Sequence, residues 1–108
     1  MKTKLSKAET ERLVLLAEEC GEVIQAVSKI LRHGFEACHP RDLNHTNRAQ
    51  LTNEIGDLLA CIELHVHAGD VSNVYVAQTR KLLRVGKYLH ARENRTHVES
   101  IIGKVPKG

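Results

Sequence analysis

Glu19-Cys20-Gly21-Glu22-Val23-Ile24-Gln25-Ala26-Val27 returns later in the chain as Glu54-Ile55-Gly56-Asp57-Leu58-Leu59-Ala60-Cys61-Ile62. Both copies read acid, any residue, glycine, acid, then an apolar run. Residues three apart share a face of an α-helix, so the spacing pairs Glu19 with Glu22 and Glu54 with Asp57 on two helices. Carboxylates so placed repel: two unit charges about 4 Å apart interact by roughly 4 kcal/mol at an effective dielectric of about 20. Water and salt offset this if each pair lies on a solvated face. If the two faces pack together, four acids meet and require cations, and hard oxygen donors in that number suit Mg²⁺ or Mn²⁺. A glycine inside a helix costs about 0.5–1 kcal/mol relative to alanine. Gly21 and Gly56, one inside each acid pair, therefore predict close backbone approach.

Working outward, Ser6-Lys7-Ala8-Glu9 has the spacing of a capping box and starts the first helix. Leu13, Ala17, Cys20, Ile24, Val27 and Leu31 recur at alternating steps of four and three, a narrow apolar seam, with Glu18, Glu22, Gln25 and Lys29 beside it. Lys29, Arg32 and His33 complement the helix dipole, and Gly34 is the expected stop. Phe35 to Asn47 reads as a polar connection with turn formers Pro40, Asp42 and Asn44, long enough to act as a lid over the acids. It holds Cys38, His39 and His45, but no Cys-x-x-Cys or regular histidine spacing that would specify zinc.

A second helix starts at Thr46 or Asn47, Asn47 with Gln50 having cap spacing, and carries Leu51, Ile55, Leu58, Ile62 and His65 inward. On that pattern His65 is a packed histidine rather than a ligand. Ala68-Gly69-Asp70 reads as stop, turn and next cap. A third helix carries Val71, Tyr75, Gln78, Leu82, Val85 and Leu89 on one side and Arg80, Arg84 and Lys87 on another. Beyond about Arg92 the periodicity fades, so a helical domain over residues 1–92 and a mobile basic tail over 93–108 are expected.

The 108 residues suit one domain. Aromatics are 3% of the chain and Trp is absent, which favours helix packing over a sandwich or barrel. The expected fold is all-α: three main helices forming a core of four-helix-bundle type. Three such helices leave stripes uncovered, so a homodimer or higher homo-oligomer is expected to complete it. No stretch is long and apolar enough to span a membrane, and Met1 to Arg12 lacks the apolar region of a signal peptide, so a cytosolic location is expected. Cys20, Cys38 and Cys61 are an odd set, and Cys20 and Cys61 are expected to act as small buried hydrophobes. The net charge of +3 is uneven: residues 1–70 carry eight basic and eleven acidic groups, residues 71–108 eight basic and two acidic. A basic end of this kind serves nucleic acid or the phosphates of a small substrate.

Glu18-Glu19-Cys20-Gly21-Glu22, with Glu54-Ile55-Gly56-Asp57 on a second helix, resembles the Glu-Glu-x-x-Glu and Glu-x-x-Asp motifs of the MazG-like all-α nucleoside triphosphate pyrophosphohydrolases. The similarity covers roughly residues 6 to 92, and the two motifs together are far more specific than either alone. The resemblance implies that Glu19, Glu22, Glu54 and Asp57 bind Mg²⁺. It also implies that Glu18 assists a ligand or orients the water, and that a nucleoside triphosphate is split into monophosphate and pyrophosphate.

The residues are consistent with that chemistry. Mg²⁺ on the carboxylates would neutralise phosphate oxygens and acidify a water, Glu18 would accept its proton, and Lys29, Lys81, Arg84 and Lys87 would meet the phosphates. No glycine-rich phosphate loop or Ser/His/Asp arrangement offers another hydrolytic route. The competing reading is a small helical binding module that grips nucleic acid or an acidic partner through its third helix and tail. On the enzyme reading nucleic acid is not a partner.

Overall fold

The computed structural model describes residues 4–103. Its elements run α1 (Lys7–His33), β1 (Cys38–His39), β2 (Asp42–Thr46), α2 (Asn47–Ala68), α3 (Val74–Val85), a 3₁₀ turn (Gly86–Tyr88) and α4 (Arg92–Ile102). The all-α expectation holds in its main part, with four α-helices among the described residues rather than three. Among the described residues no helix is long and apolar enough to cross a membrane. The chain divides into two compact units, Met1–Asp70 and Val71–Gly108.

In the first unit α1 begins as its sequence requires. The Ser6 hydroxyl accepts from the Glu9 amide at 3.1 Å, and the Ser6 amide donates to Glu9 Oε1 at 2.7 Å. The helix runs about 40 Å and stops at Gly34, whose φ of 89° lies where a side chain would be strained. The connection to α2 is not merely a loop: β1 and β2 pair antiparallel, Cys38 with Thr46 and His39 with Asp42, with an irregularity between Cys38 and His39. The Thr46 hydroxyl, not Asn47, caps α2 by accepting from the Ala49 amide at 3.1 Å. Asn47 instead donates through its side chain to the Gly34 carbonyl at 3.0 Å, tying the end of α1 to the start of α2.

Antiparallel pairing of α1 and α2 is pinned at both ends. At one end Lys29 Nζ donates to Gln50 Oε1 at 3.3 Å. At the other, Arg12 donates twice to the Asp70 carboxylate, Nε to Oδ2 at 2.6 Å and Nη2 to Oδ1 at 2.8 Å. His65 is buried beside them, with Nδ1 2.7 Å from Asp70 Oδ2 and Nε2 2.9 Å from the Arg12 carbonyl oxygen. His65 is thus a packed histidine, as its spacing predicts. Asp70 is corrected: it does not cap the next helix but clamps the ends of this pair.

The packing stripe on α1 is also corrected. The more buried positions are Arg12, Leu16, Glu19, Val23, Ala26 and Ile30, one residue behind the apolar seam read from the sequence, and only Ala26 is fully buried. Leu13, Ile24, Val27 and Leu31 are exposed, Ile24 by 66% and Leu31 by 81%. On α2 the covered positions are Leu51, Glu54, Leu58, Cys61, Ile62 and His65, whereas Ile55 is exposed. Cys61 is buried as expected and Cys20 is exposed; all three cysteines are free thiols. A Cβ added at Gly21 or Gly56 would meet nothing within 4 Å, so the close approach expected at these glycines is not found among the described residues.

The second unit holds α3, the 3₁₀ turn and α4. After Asn73, which takes a left-handed φ of 55° and makes no side-chain cap bond, α3 starts at Val74 and not at Val71. Leu82, Val85 and Leu89 are partly covered as expected, while Tyr75 and Tyr88 are largely exposed. Residues 93–102, read from the sequence as tail, lie in α4, whose partly covered Val98 and Ile102 stand four apart on one face. Residues 104–108 of the expected tail lie outside the described residues.

Candidate metal centre

Because Glu19 and Glu54 occupy the stripes along which α1 and α2 pack, the helix pairing itself brings acids from both motifs together. One carboxylate oxygen from each of Glu19, Glu54 and Asp57 lies within 4.8 Å of the others. Glu19 and Glu54 are half-buried and Asp57, a turn further along α2, is exposed, so the group opens to solvent on one side. Glu19 Oε2 is buried without a hydrogen-bond partner. An orphaned carboxylate oxygen is costly to bury, and here it sits beside two further acids. Burial pushes the Glu19 carboxyl above its ordinary range, and the charges of Asp57, Glu54, Glu22 and Glu18 push it the same way.

Glu22 and Glu18 are exposed and act on Glu19 electrostatically, but neither belongs to the convergent trio. Cys61 lies on the same seam. Its thiol is pushed up, first by burial and then by the charge of Glu19 and by Cys20, which leaves it a neutral wall of the acidic group. Lys29 is held beside Gln50, one turn before Glu54 on α2. Local spacing marks Gln50 as a cap partner of Asn47, and its position one turn before Glu54 is the signal that sets it near the acids. Lys81, Arg84 and Lys87 belong to the second unit, where Lys81 Nζ stands 5.7 Å from the centre of the Tyr88 ring.

Three converging carboxylates, one of which also has a buried oxygen without a partner, fit a divalent cation that takes hard oxygen donors, of the Mg²⁺ or Mn²⁺ type. A helical domain that presents carboxylates from two paired helices in this way has the arrangement from which helix bundles build metal sites. The family model of the MazG nucleotide pyrophosphohydrolase domain matches residues 8–89, and the chain belongs to that family. No curated protein and no solved structure matches the chain.

Proposed function

We propose that the protein is a Mg²⁺-dependent pyrophosphohydrolase, with Mn²⁺ as a possible substitute, that cleaves a ribo- or deoxyribonucleoside triphosphate to the monophosphate and pyrophosphate in the cytosol. The observation that carries this reading is the convergence of Glu19, Glu54 and Asp57, with the buried Oε2 of Glu19 left without a hydrogen-bond partner. These three residues, with Glu22 one turn from Glu19, would hold the cation. When bound, it supplies neutralisation of phosphate oxygens and acidification of water.

The chain's own residues supply the rest. Glu18, exposed beside Glu19, would take the proton of the attacking water as its oxygen closes on the α-phosphorus. The bond from that phosphorus to the oxygen bridging towards the β-phosphorus breaks, and the electron pair leaves with pyrophosphate. Lys29, in the first unit, is a proposed phosphate partner. Lys81, Arg84 and Lys87 are proposed in the same role from their charge in the sequence.

A homodimer or higher homo-oligomer is part of the proposal. The exposed stripe on α1, from Leu13 through Ile24 to Leu31, is a contiguous apolar row of the kind soluble monomers rarely leave open. Two α1–α2 pairs joined along such stripes would make a four-helix core.

The deciding experiment is pyrophosphate release from a panel of ribo- and deoxyribonucleoside triphosphates with Mg²⁺, with Mn²⁺ and with excess chelator, run beside Asp57→Asn. Metal-dependent release that Asp57→Asn lacks is the expected result. Release that survives both chelator and the substitution would overturn the reading.

A further inference from the structure

Where α1 ends and α2 begins, the β1–β2 hairpin borders an open cavity of about 650 Å³. Its walls are Lys29, Arg32 and His33 from the last turns of α1, His39 and His45 from the hairpin, and Gln50 from the first turns of α2. None of the described lining residues is a carboxylate, and none is Phe, Tyr or Trp. In a chain whose first 70 residues carry more acids than bases, this is a concentrated basic site.

Among the described residues its cations make no ion pair with an acid. Lys29 is held by the neutral Gln50 amide oxygen at 3.3 Å, and Arg32 uses Nε on the Ser28 carbonyl of its own helix at 3.3 Å, leaving its terminal N–H groups uncommitted to an acid. His39 Nδ1 accepts from the Arg41 amide at 3.1 Å, so the ring proton sits on Nε2 as a donor. The cavity contains Cys38 as well as three histidines, which raises the question of a soft metal. Their ligand atoms do not converge: among the described residues the convergent group is Glu19, Glu54 and Asp57. What the cavity offers is positive charge and N–H donors, the requirements of a multiply charged oxyanion.

The cavity also lies next to the acidic group. Gln50 precedes Glu54 by four residues on α2, about 6 Å along the axis, and Lys29 follows Glu22 by seven on α1, about 10 Å. A site that needs cations thus adjoins a site that needs an anion, and one ligand with a metal-chelating part and an anionic end would answer both. Resting on the pyrophosphohydrolase reading, we infer that this cavity is a diphosphoryl site: it takes the β,γ-phosphates of the nucleotide and retains the pyrophosphate product.

The test is calorimetric titration of inorganic pyrophosphate into the full-length, chelator-treated protein, where the bare carboxylates repel the ligand and binding reports the basic cavity. Arg32→Ala and His45→Ala are each expected to weaken binding about tenfold, the loss typical of one charge-assisted hydrogen bond, with Arg32→Lys recovering part of it. Circular dichroism shows which variant keeps its fold, and either one suffices. In turnover assays pyrophosphate should inhibit more strongly than the nucleoside monophosphate, and the same substitutions should relieve that inhibition. Turnover with pyrophosphate affinity and product inhibition unchanged in both variants would overturn the diphosphoryl site and leave the hydrolase standing. Absence of turnover with any triphosphate, together with variant-sensitive pyrophosphate binding, would uphold the site and overturn the hydrolase.

Discussion

Glu19 concentrates the electrostatic problem of this protein in one side chain. Its buried oxygen lacks a partner, and both burial and the neighbouring acids favour its protonated form. An acid whose pKa rises on folding binds protons more readily in the folded state, so stability falls as pH climbs from the ordinary carboxylate range through the raised value. Melting of the metal-free protein should therefore decline across that window, and Mg²⁺ should restore what is lost. Glu19→Gln should melt no lower than wild type in chelator, lose the gain from Mg²⁺ and lose turnover; thermal melts with and without metal across about pH 4 to 8 check this. Glu18→Gln should leave metal binding intact while kcat drops about 10²- to 10⁴-fold, the usual worth of a general base. Mn²⁺ titration beside kcat separates the two effects. The acids were legible in the sequence because three-residue spacing fixes a shared helix face. That Glu19 and Glu54 lie on the packing stripe was not, because an apolar-periodicity reading assigns polar residues to the outside.

At the scale of elements, the same limit explains what was found and what was missed. Ser6, Gly34 and Gly69 act through bonds or backbone angles within a few residues, so local spacing revealed the ends of α1 and the stop of α2. Asp70 works through Arg12, 58 positions away, and no local rule reaches that far. The apolar seam of α1, from Leu13 to Leu31, is the more uniform stripe in sequence, whereas the helix pairs through a mixed row containing Arg12 and Glu19. The Asp70 clamp has its own pH signature. The Arg12 hydrogen bonds, opposed by burial and reinforced by the Arg12 charge and by His65, hold the Asp70 carboxyl below its usual range. A lowered acid contributes stability that is present above its ordinary pKa and is lost as pH falls through the lowered value. Asp70→Asn should thus lower the melting temperature at neutral pH and flatten the acid limb of the stability profile. An acid limb as steep as that of wild type would show that the clamp does not hold α1 to α2.

For the whole molecule, the question is what covers the stripe that α2 leaves open. Burying apolar area stabilises by about 25 cal/mol per Å², and side chains as exposed as Ile24 and Leu31 contribute little of this within one chain. Charge placed there should consequently leave the folded monomer nearly as stable as before, while charge placed in a contact between copies would be desolvated without a partner and expelled. Leu31→Glu is the cleaner choice, because Leu31 lies nine residues beyond Glu22 along α1, which leaves the carboxylates untouched. Wild type should sediment as a dimer or larger species and Leu31→Glu as a monomer with unchanged helical circular dichroism. If turnover depends on the assembly, it should fall with the dimer fraction and recover at high protein concentration, as mass action requires. A wild type that sediments as a monomer at every concentration would remove the oligomer from the proposal, and the apolar stripe would then have to be covered by a different partner.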